Sequence, residues 1–185
     1  MAIAVVGVVA TPAKADIPID LTLGYAFRLA DPTADDRLHG AAGSVGVAAP
    51  PLWGGFSARG DTLVLAWPAG SVVERPLFFA GGAGCATYVF DDTATLAVAS
   101  LGAFGGAVVD GATTAAAFGP IAGLSLLLPI IDGVDVVARV ALPYDLSGAL
   151  SPSGTASIGL AVAIDSPVLP VHARPLRVLY GVWRN

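Results

Sequence analysis

The side chains that could carry chemistry in this chain are few and scattered. The two histidines, His39 and His172, stand far apart, and neither lies beside a Ser or Cys in a nucleophile motif. The single cysteine, Cys85, excludes an internal disulfide and a cysteine-cluster metal site. The Asp pairs at 35–36 and 91–92 could bind a cation, but acidic loop tips are usually only solvated. The sequence therefore predicts no enzyme, and neither a cofactor nor a metal.

The remaining candidates are charged residues that share one side of the predicted strands. They are Asp20, Arg59, Asp61, Asp135 and Arg139, with Arg28 and Asp145 as further candidates. Buried charges must pair with one another or face trapped water. If the shared face is enclosed, these residues predict an internal salt-bridge network. The alternative is that the same face meets bulk water on a soluble sheet.

The composition indicates that much of the protein surface contacts something other than water. Of its 185 residues, 55% are hydrophobic and only 12% are charged, and the mean hydropathy is +0.77, far above that of an ordinary soluble domain. The 23 glycines and 14 prolines favour many turns over long helices. A net charge of −5 with a single lysine argues against nucleic acid as a partner.

Three segments alternate with period two between apolar and polar residues: Ile19–Arg28, Val134–Asp145 and Ala156–Asp165. The chain is too hydrophobic for the polar faces to be its only exterior, so we expect the apolar faces to point outward into lipid. The residues predicted to face lipid are Leu21, Leu23, Val136, Val140, Leu142, Ile158, Leu160 and Val162.

Turn signals divide the chain into eight strands. They are predicted at Ile19–Arg28, Leu38–Ala49, Phe56–Trp67, Leu77–Phe90, Leu96–Val108, Ile121–Leu128, Val134–Asp145 and Ala156–Asp165. The connections after strands one, three, five and seven are longer than the others, with the fifth at Asp110–Thr114. This alternation is typical of an all-β, antiparallel up-and-down transmembrane β-barrel.

Side chains fill the interior of an eight-stranded barrel, so the predicted salt-bridge network would plug the lumen.

Aromatic residues near the predicted strand ends suggest an interfacial girdle at each rim. Those near the long loops are Tyr25, Phe27, Trp67, Phe78, Phe79 and Tyr144, and those near the short turns are Trp53, Phe56, Tyr88 and Phe90. Pro120 and Pro143 should lie at the rims, because a closed barrel has no free edge for proline.

The two ends of the chain read differently from the middle. Residues 1–15 contain a short apolar run followed by Ala13-Lys14-Ala15, which has the small-x-small form of a signal-peptidase site, although a positive n-region is missing. A disordered or strand-like N-terminus is the alternative. Residues 16–165 are predicted to form the barrel. Residues 166–185 form either a periplasmic tail or, at Leu176–Trp183, the true closing strand.

With its signal-like start, eight short strands and apolar-out dyads at Ile19–Phe27, Val134–Tyr144 and Ala156–Ile164, the chain resembles the small outer-membrane β-barrel proteins of Gram-negative bacteria. The resemblance covers roughly Asp16–Asp165. It implies a non-enzymatic protein of the bacterial outer membrane that serves as a structural element, an anchor, an adhesin or a small-solute pore. The resemblance implies membrane lipid as the partner, and it leaves open whether the protein forms a homo-oligomer. Such barrels commonly end on an aromatic residue, whereas this chain ends Arg184-Asn185.

Two other architectures compete with the barrel. A soluble secreted or self-assembling β-sandwich would bury the apolar faces against each other or against a neighbouring subunit. A helical membrane hairpin would place helices at Thr93–Val109 and Ala115–Ile131, but the glycine content, Pro120 and Pro129 count against it.

Overall fold

The computed structural model describes residues 15–49, 56–92, 95–131 and 134–166, and within these ranges the chain forms eight β-strands. The strands are β1 (Ala15–Arg28), β2 (His39–Ala48), β3 (Phe56–Trp67), β4 (Leu77–Asp92), β5 (Thr95–Asp110), β6 (Thr113–Ile131), β7 (Val134–Pro143) and β8 (Ser153–Ser166). The predicted strand order is confirmed. The largest difference is β6, which begins well before Ile121 because residues 113–120 pair with β5, from Thr113 opposite Asp110 to Pro120 opposite Ala103.

The eight strands form a single closed sheet. Each strand pairs antiparallel with the next, and β8 pairs with β1 from Ala15 opposite Ser166 to Arg28 opposite Ser153. The prediction of an up-and-down barrel is confirmed. The β-sandwich alternative is wrong, because one sheet closes on itself, and the helical hairpin is wrong, because the described parts of its two segments are strands. No helix in the described ranges is long and apolar enough to cross a membrane.

The connections differ between the two ends of the barrel. At one end, which we call the loop rim, they span residues 29–38, 68–76, 111–112 and 144–152, and at the other, the turn rim, they span 49–55, 93–94 and 132–133. The prediction of a longer loop after β5 is wrong. Gly111, with a φ of 61°, makes a tight turn there, and the strands continue up to it.

The predictions for the two ends of the chain are not tested by the structure. The proposed signal segment before Ala15 and the segment from residue 167, including Leu176–Trp183, lie outside the described residues. The strand that closes the described barrel is β8.

The two prolines are accommodated in different ways. Pro143 is the last residue of β7, as expected for a rim position. The prediction for Pro120 is wrong, because it lies inside β6, opposite Ala103. The backbone nitrogen of Tyr144 donates to the Pro120 carbonyl at 2.9 Å. Since the nitrogen and oxygen of one strand residue point the same way, the missing N–H of Pro120 faces the end of β7, and the ladder to β5 stays intact.

The interior has an apolar half and a polar half. Toward the loop rim it is packed with Leu63, Leu65, Trp67, Leu77, Phe79, Phe104 and Val108, and toward the turn rim it contains charged residues and hydroxyl groups. This packing corrects the predicted girdle, because Trp67 and Phe79 are only 0% and 1% exposed. Trp67 lies an even number of residues from Ser57 on β3, so both side chains point inward. The position of Trp67 near the strand end does not change this direction.

The other described girdle aromatics divide between the two rims. Tyr25, Phe78 and Tyr144 are exposed near the loop rim, where Phe27 is half-buried. Phe56, Tyr88 and Phe90 are exposed near the turn rim, and Tyr88 makes edge-to-face contacts with Phe56 at 4.9 Å and with Phe90 at 4.8 Å between ring centres. Trp53 lies outside the described residues.

Candidate functional site

Four of the predicted polar residues meet inside the barrel and form what we call the central network. Arg59 Nη1 lies 2.6 Å from Asp20 Oδ2, and Arg59 Nη2 lies 2.6 Å from Asp61 Oδ1. Arg139 Nη2 lies 3.1 Å from Asp20 Oδ1, and Arg139 Nη1 lies 3.1 Å from Asp61 Oδ1. Each guanidinium group therefore bridges both carboxylates, and the four charges sum to zero.

Neighbouring small and hydroxyl side chains complete the central network. Arg139 Nε donates to Ser125 Oγ at 3.0 Å, and the hydroxyl groups of Thr22 and Ser44 lie 2.7 Å apart. A Cβ atom at Gly46 would stand only 1.6 Å from Arg59 Nη2, so glycine supplies the space that the guanidinium group occupies. A cavity of about 40 Å³ beside the network has room for only a few water molecules.

Asp135, the fifth predicted residue, shares the parity of Val137 and Arg139 on β7. It is half-buried and lies opposite Ala161 of β8, two inward positions from Arg139 toward the turn rim. The structure therefore places Asp135 on the face that carries the central network, closer to the turn rim.

The residues predicted to face lipid lie on the outer surface of the barrel. Seven of them are exposed and Val136 is half-buried; the exposed ones are Leu21, Leu23, Val140, Leu142, Ile158, Leu160 and Val162. Strict alternation accounts for this arrangement, because the inward neighbours of these residues include Asp20, Thr22, Ala141 and Ala161, all of which are buried.

A second group of charges, which we call the rim network, lies beneath the loops at the loop rim. Arg28 Nη1 donates to Asp35 Oδ2 at 2.9 Å, and Arg37 Nη2 donates to the same oxygen at 2.7 Å. Arg37 Nη1 lies 3.0 Å from Asp110 Oδ1, which Arg75 Nε approaches at 2.7 Å. The network ties the loops after β1 and β3 to the end of β5.

Sequence reasoning missed most of the rim network. It placed Arg28 only as a marginal member of the polar face and treated Asp35 as solvated, and the structure corrects both. Hydrogen bonds from Arg37 are the largest cause that holds the pKa of Asp35 well below its usual range, against the opposing effect of burial. The same hydrogen bonds raise the pKa of Arg37. The Asp-x-Arg spacing at 35–37 is the sequence signal that points to this pair.

The carboxylates of two more acidic residues, Asp36 and Asp145, accept hydrogen bonds from backbone nitrogens of the loops. The carboxylate of Asp36 accepts hydrogen bonds from the backbone nitrogen and the hydroxyl group of Ser71 and from the nitrogens of Val72, at 3.0 Å, and Val73, at 3.3 Å. The Ser71 hydroxyl is the largest cause that lowers the pKa of Asp36 to about 2. The expectation that Asp36 is only solvated is therefore wrong.

Asp145 has a similar role in the loop after β7. Its carboxylate accepts hydrogen bonds from the nitrogen of Phe118 at 3.0 Å, of Ser147 at 3.0 Å and of Leu150 at 2.8 Å. Burial raises the pKa of Asp145, but these backbone donors outweigh it, and the net shift is downward. Asp145 thus covers the edge of β6 where β7 has ended, and it does not belong to the polar face of the lumen.

The described histidine and the described cysteine lie on opposite sides of the barrel wall. His39 Nδ1 contacts the Tyr25 hydroxyl on the outside of the barrel, where the two rings stack with centres 5.8 Å apart. Cys85 is buried and faces inward. Within the described ranges, no three residues of the His, Cys, Asp and Glu types are placed to hold a metal ion.

The chain is similar to known proteins in its fold but not in its sequence. No protein-family model and no curated protein sequence matches the chain. The attachment invasion locus protein Ail of Yersinia pestis aligns with a TM-score of 0.55 at 11% identity, over 83% of this chain and 100% of that one. The chain has the fold of the small outer-membrane β-barrels. Neisserial surface protein A aligns with a TM-score of 0.53 at 15% identity, over 83% of this chain and 99% of that one.

One of these neighbours was solved in a lipid environment. The outer membrane protein Ail in a phospholipid bilayer nanodisc aligns with a TM-score of 0.51 at 11% identity, over 82% of this chain and 100% of that one. At identities this low, the likeness concerns the barrel fold.

Proposed function

We propose that this chain is a non-enzymatic β-barrel of the bacterial outer membrane with a structural or anchoring role. The observation that carries the proposal is the outer surface, where every strand exposes at least two large apolar side chains. They are Leu21, Leu23, Tyr25, Val45, Val47, Phe56, Val64, Phe78, Tyr88, Phe90, Leu101, Val109, Phe118, Leu124, Leu126, Leu128, Ile130, Val140, Leu142, Ile158, Leu160 and Val162. Soluble monomers rarely expose contiguous apolar patches above roughly a few hundred Å². Hydrocarbon, in contrast, favours such a surface on a sheet without edges.

The interior supports a structural role over transport of small solutes. The central network spans the lumen between β1, β3 and β7. The apolar half above it is filled by large side chains such as Trp67, Leu65 and Phe79. Reconstituted in planar bilayers, the protein should therefore show no large stable conductance. Steady channels would contradict the closed lumen and would favour a pore.

The membrane insertion can be tested by labelling from the two sides of the outer membrane. In a Cys85→Ser background, Leu29→Cys places a thiol in the loop after β1, where the position is exposed, and Ala49→Cys places one in the connection after β2 at the turn rim, where the position is partly exposed. A membrane-impermeant maleimide added to intact cells should label Leu29→Cys, and it should label Ala49→Cys only after the cells are permeabilised. Release of the protein by alkaline washing without detergent would contradict insertion.

Adhesion is a second candidate role that a specific observation favours. The loop rim exposes the large apolar residues Leu29, Val72 and Leu146, and one structural neighbour is the attachment invasion locus protein Ail. Replacing all three by Ser should abolish attachment of expressing cells to a surface if these loops make the contact. Unchanged attachment, with the variant present in the membrane, would leave the structural role.

A further inference from the structure

Three buried polar atoms at the loop rim lack a hydrogen-bond partner within the described part of the chain. They are Arg28 Nε, Trp67 Nε1 and Ser153 Oγ. The side chains that carry them are 6%, 0% and 6% exposed. Two of the three atoms can only donate a hydrogen bond, and the hydroxyl group can also donate. A buried donor without an acceptor costs its desolvation free energy, so an acceptor among them would be strongly favoured.

The three side chains lie in one region of the barrel. Arg28 Cζ lies 5.6 Å from the centre of the Trp67 ring. Ser153 stands directly opposite Arg28 in the ladder of β1 and β8, so both side chains point inward at the same level. A Cβ atom at Gly40 would meet the Trp67 ring at 2.7 Å, so the ring packs against the backbone of β2, the strand next to β1. We call this region the Arg28 site.

The ion pairs of the rim network contain more guanidinium groups than carboxylates. The buried guanidinium groups of Arg28 and Arg37 share the carboxylate of Asp35. Arg37 also pairs with Asp110, but Asp110 in turn pairs with Arg75. Within this network, three cations share two carboxylates. Because Arg28 contacts only Asp35 among the acidic groups of the network, its guanidinium group is incompletely neutralised.

We propose that a small monovalent anion of halide size binds at the Arg28 site, where it accepts hydrogen bonds from Arg28 Nε, Trp67 Nε1 and Ser153 Oγ. A halide ion accepts from several donors at once and donates none, which matches a site made of donors. Its negative charge balances the excess of the rim network. Arg28 Nη2 is already engaged by Ser151 Oγ at 3.1 Å, so the free Nε edge is the one left for the ion. This inference goes beyond the proposed function and depends only on the folded barrel.

The fluorescence of Trp67 can report the binding directly. The chain contains three tryptophans, so the variant Trp53→Phe/Trp183→Phe leaves Trp67 as the single emitter. The full-length variant would be refolded in detergent micelles and titrated with sodium chloride replaced stepwise by sodium gluconate at constant ionic strength. Chloride should change the Trp67 emission saturably and should raise the urea midpoint, whereas gluconate, which is too large for a buried site, should do neither.

Matched serine variants separate the site from a general salt effect. Ser153→Ala removes one donor and should weaken the apparent chloride affinity by about 3- to 10-fold. Ser157→Ala, on the inward face of the same strand, should leave it unchanged. Identical behaviour in chloride and gluconate, or equal effects of the two serine variants, would overturn the proposal and assign the three donors to water alone.

Discussion

The guanidinium group of Arg139 on β7 contacts the carboxylate of Asp20 on β1, with Nη2 3.1 Å from each carboxylate oxygen. These strands are not neighbours in the sheet, because β8 lies between them. Arg59 reaches the same carboxylate from β3, across β2. The contacts therefore cross the interior, and Asp20 connects walls of the barrel that the backbone ladder does not join directly.

Replacing Asp20 by Asn should strongly destabilise the barrel. The change leaves Arg59 and Arg139 with one carboxylate, that of Asp61, to neutralise two buried cations. Breaking a buried ion pair by removing one partner typically costs about 3–5 kcal/mol, and we expect about 3 kcal/mol here because the network retains Asp61. Urea titration of the protein folded in lipid vesicles measures the free energy of unfolding.

A control for Asp20→Asn is the same substitution at Asp31, in the exposed loop after β1. The Asp31 carboxylate bonds only locally, to the nitrogen of Thr33 at 2.9 Å and to its hydroxyl group at 2.7 Å. Asp31→Asn should leave the unfolding free energy nearly unchanged. If Asp20→Asn is as stable as Asp31→Asn, the central network does not stabilise the barrel.

The strands and the central network were predictable because both follow from parity. Period-two alternation marks the faces of β1, β7 and β8 directly, and once the sheet closes, Asp20, Asp61 and Arg139 must point to one interior. The sequence could not show which carboxylate each guanidinium group contacts. That depends on the stagger of the strands around the barrel, which no local pattern determines.

The loop half of the barrel was not predictable by the same rule. The charges predicted to plug the lumen fill only the half toward the turn rim, because the inward positions from Leu63 to Trp67 are apolar. The loops cover that end, so its interior is shielded from water and packs as a hydrophobic core. The rim network was not predictable for a related reason, because Arg37 and Asp110 meet only when the loop after β1 folds over the end of β5.

Replacing Gly40 by Ala should destabilise the loop half of the barrel. A Cβ atom at position 40 would lie 2.3 Å from the Ala66 carbonyl oxygen and 2.7 Å from Trp67 Cδ1. Relieving these contacts requires a shift of β3 backbone or of a fully buried ring, and overpacking of this kind costs about 1–3 kcal/mol. Urea titration and the near-ultraviolet circular dichroism of Trp67 report the change.

Gly60→Ala is the matched control for Gly40→Ala. A Cβ atom at Gly60 meets nothing within 4 Å, and alanine restricts the unfolded chain more than glycine does. Gly60→Ala should therefore be neutral or slightly stabilising. Equal destabilisation by the two variants would show that strand propensity, rather than the space beside Trp67, accounts for the effect.

The contact between Asp36 and the loop after β3 should depend on pH in the acidic range. The pKa of Asp36 falls from 3.8 to about 2 in the folded protein. A lowered folded-state pKa means that the contact contributes its full stability above pH 3.8 and loses it as the pH falls through about 2. The carboxyl carbon-13 resonance of Asp36 should titrate with a midpoint near 2. Ser71→Ala removes the largest cause of the shift and should move the midpoint upward, and a midpoint near 3.8 in the wild-type protein would contradict the contact.

An arginine on the outer surface gives the sharpest test of membrane insertion. Val140 is 46% exposed and points outward near the middle of β7, so Val140→Arg should cost about 2–4 kcal/mol in lipid vesicles if it lies at the bilayer midplane. Leu146 is 62% exposed but lies in the loop after β7, and Leu146→Arg should cost almost nothing because the charge stays in water. Val137, on the inward face of the same strand, is not a suitable control. It is 1% exposed, and an arginine there has no space. Urea titration of both variants in vesicles compares the two depths directly. If Val140→Arg is as stable as Leu146→Arg, the outward face of β7 meets water, and the barrel does not span a membrane.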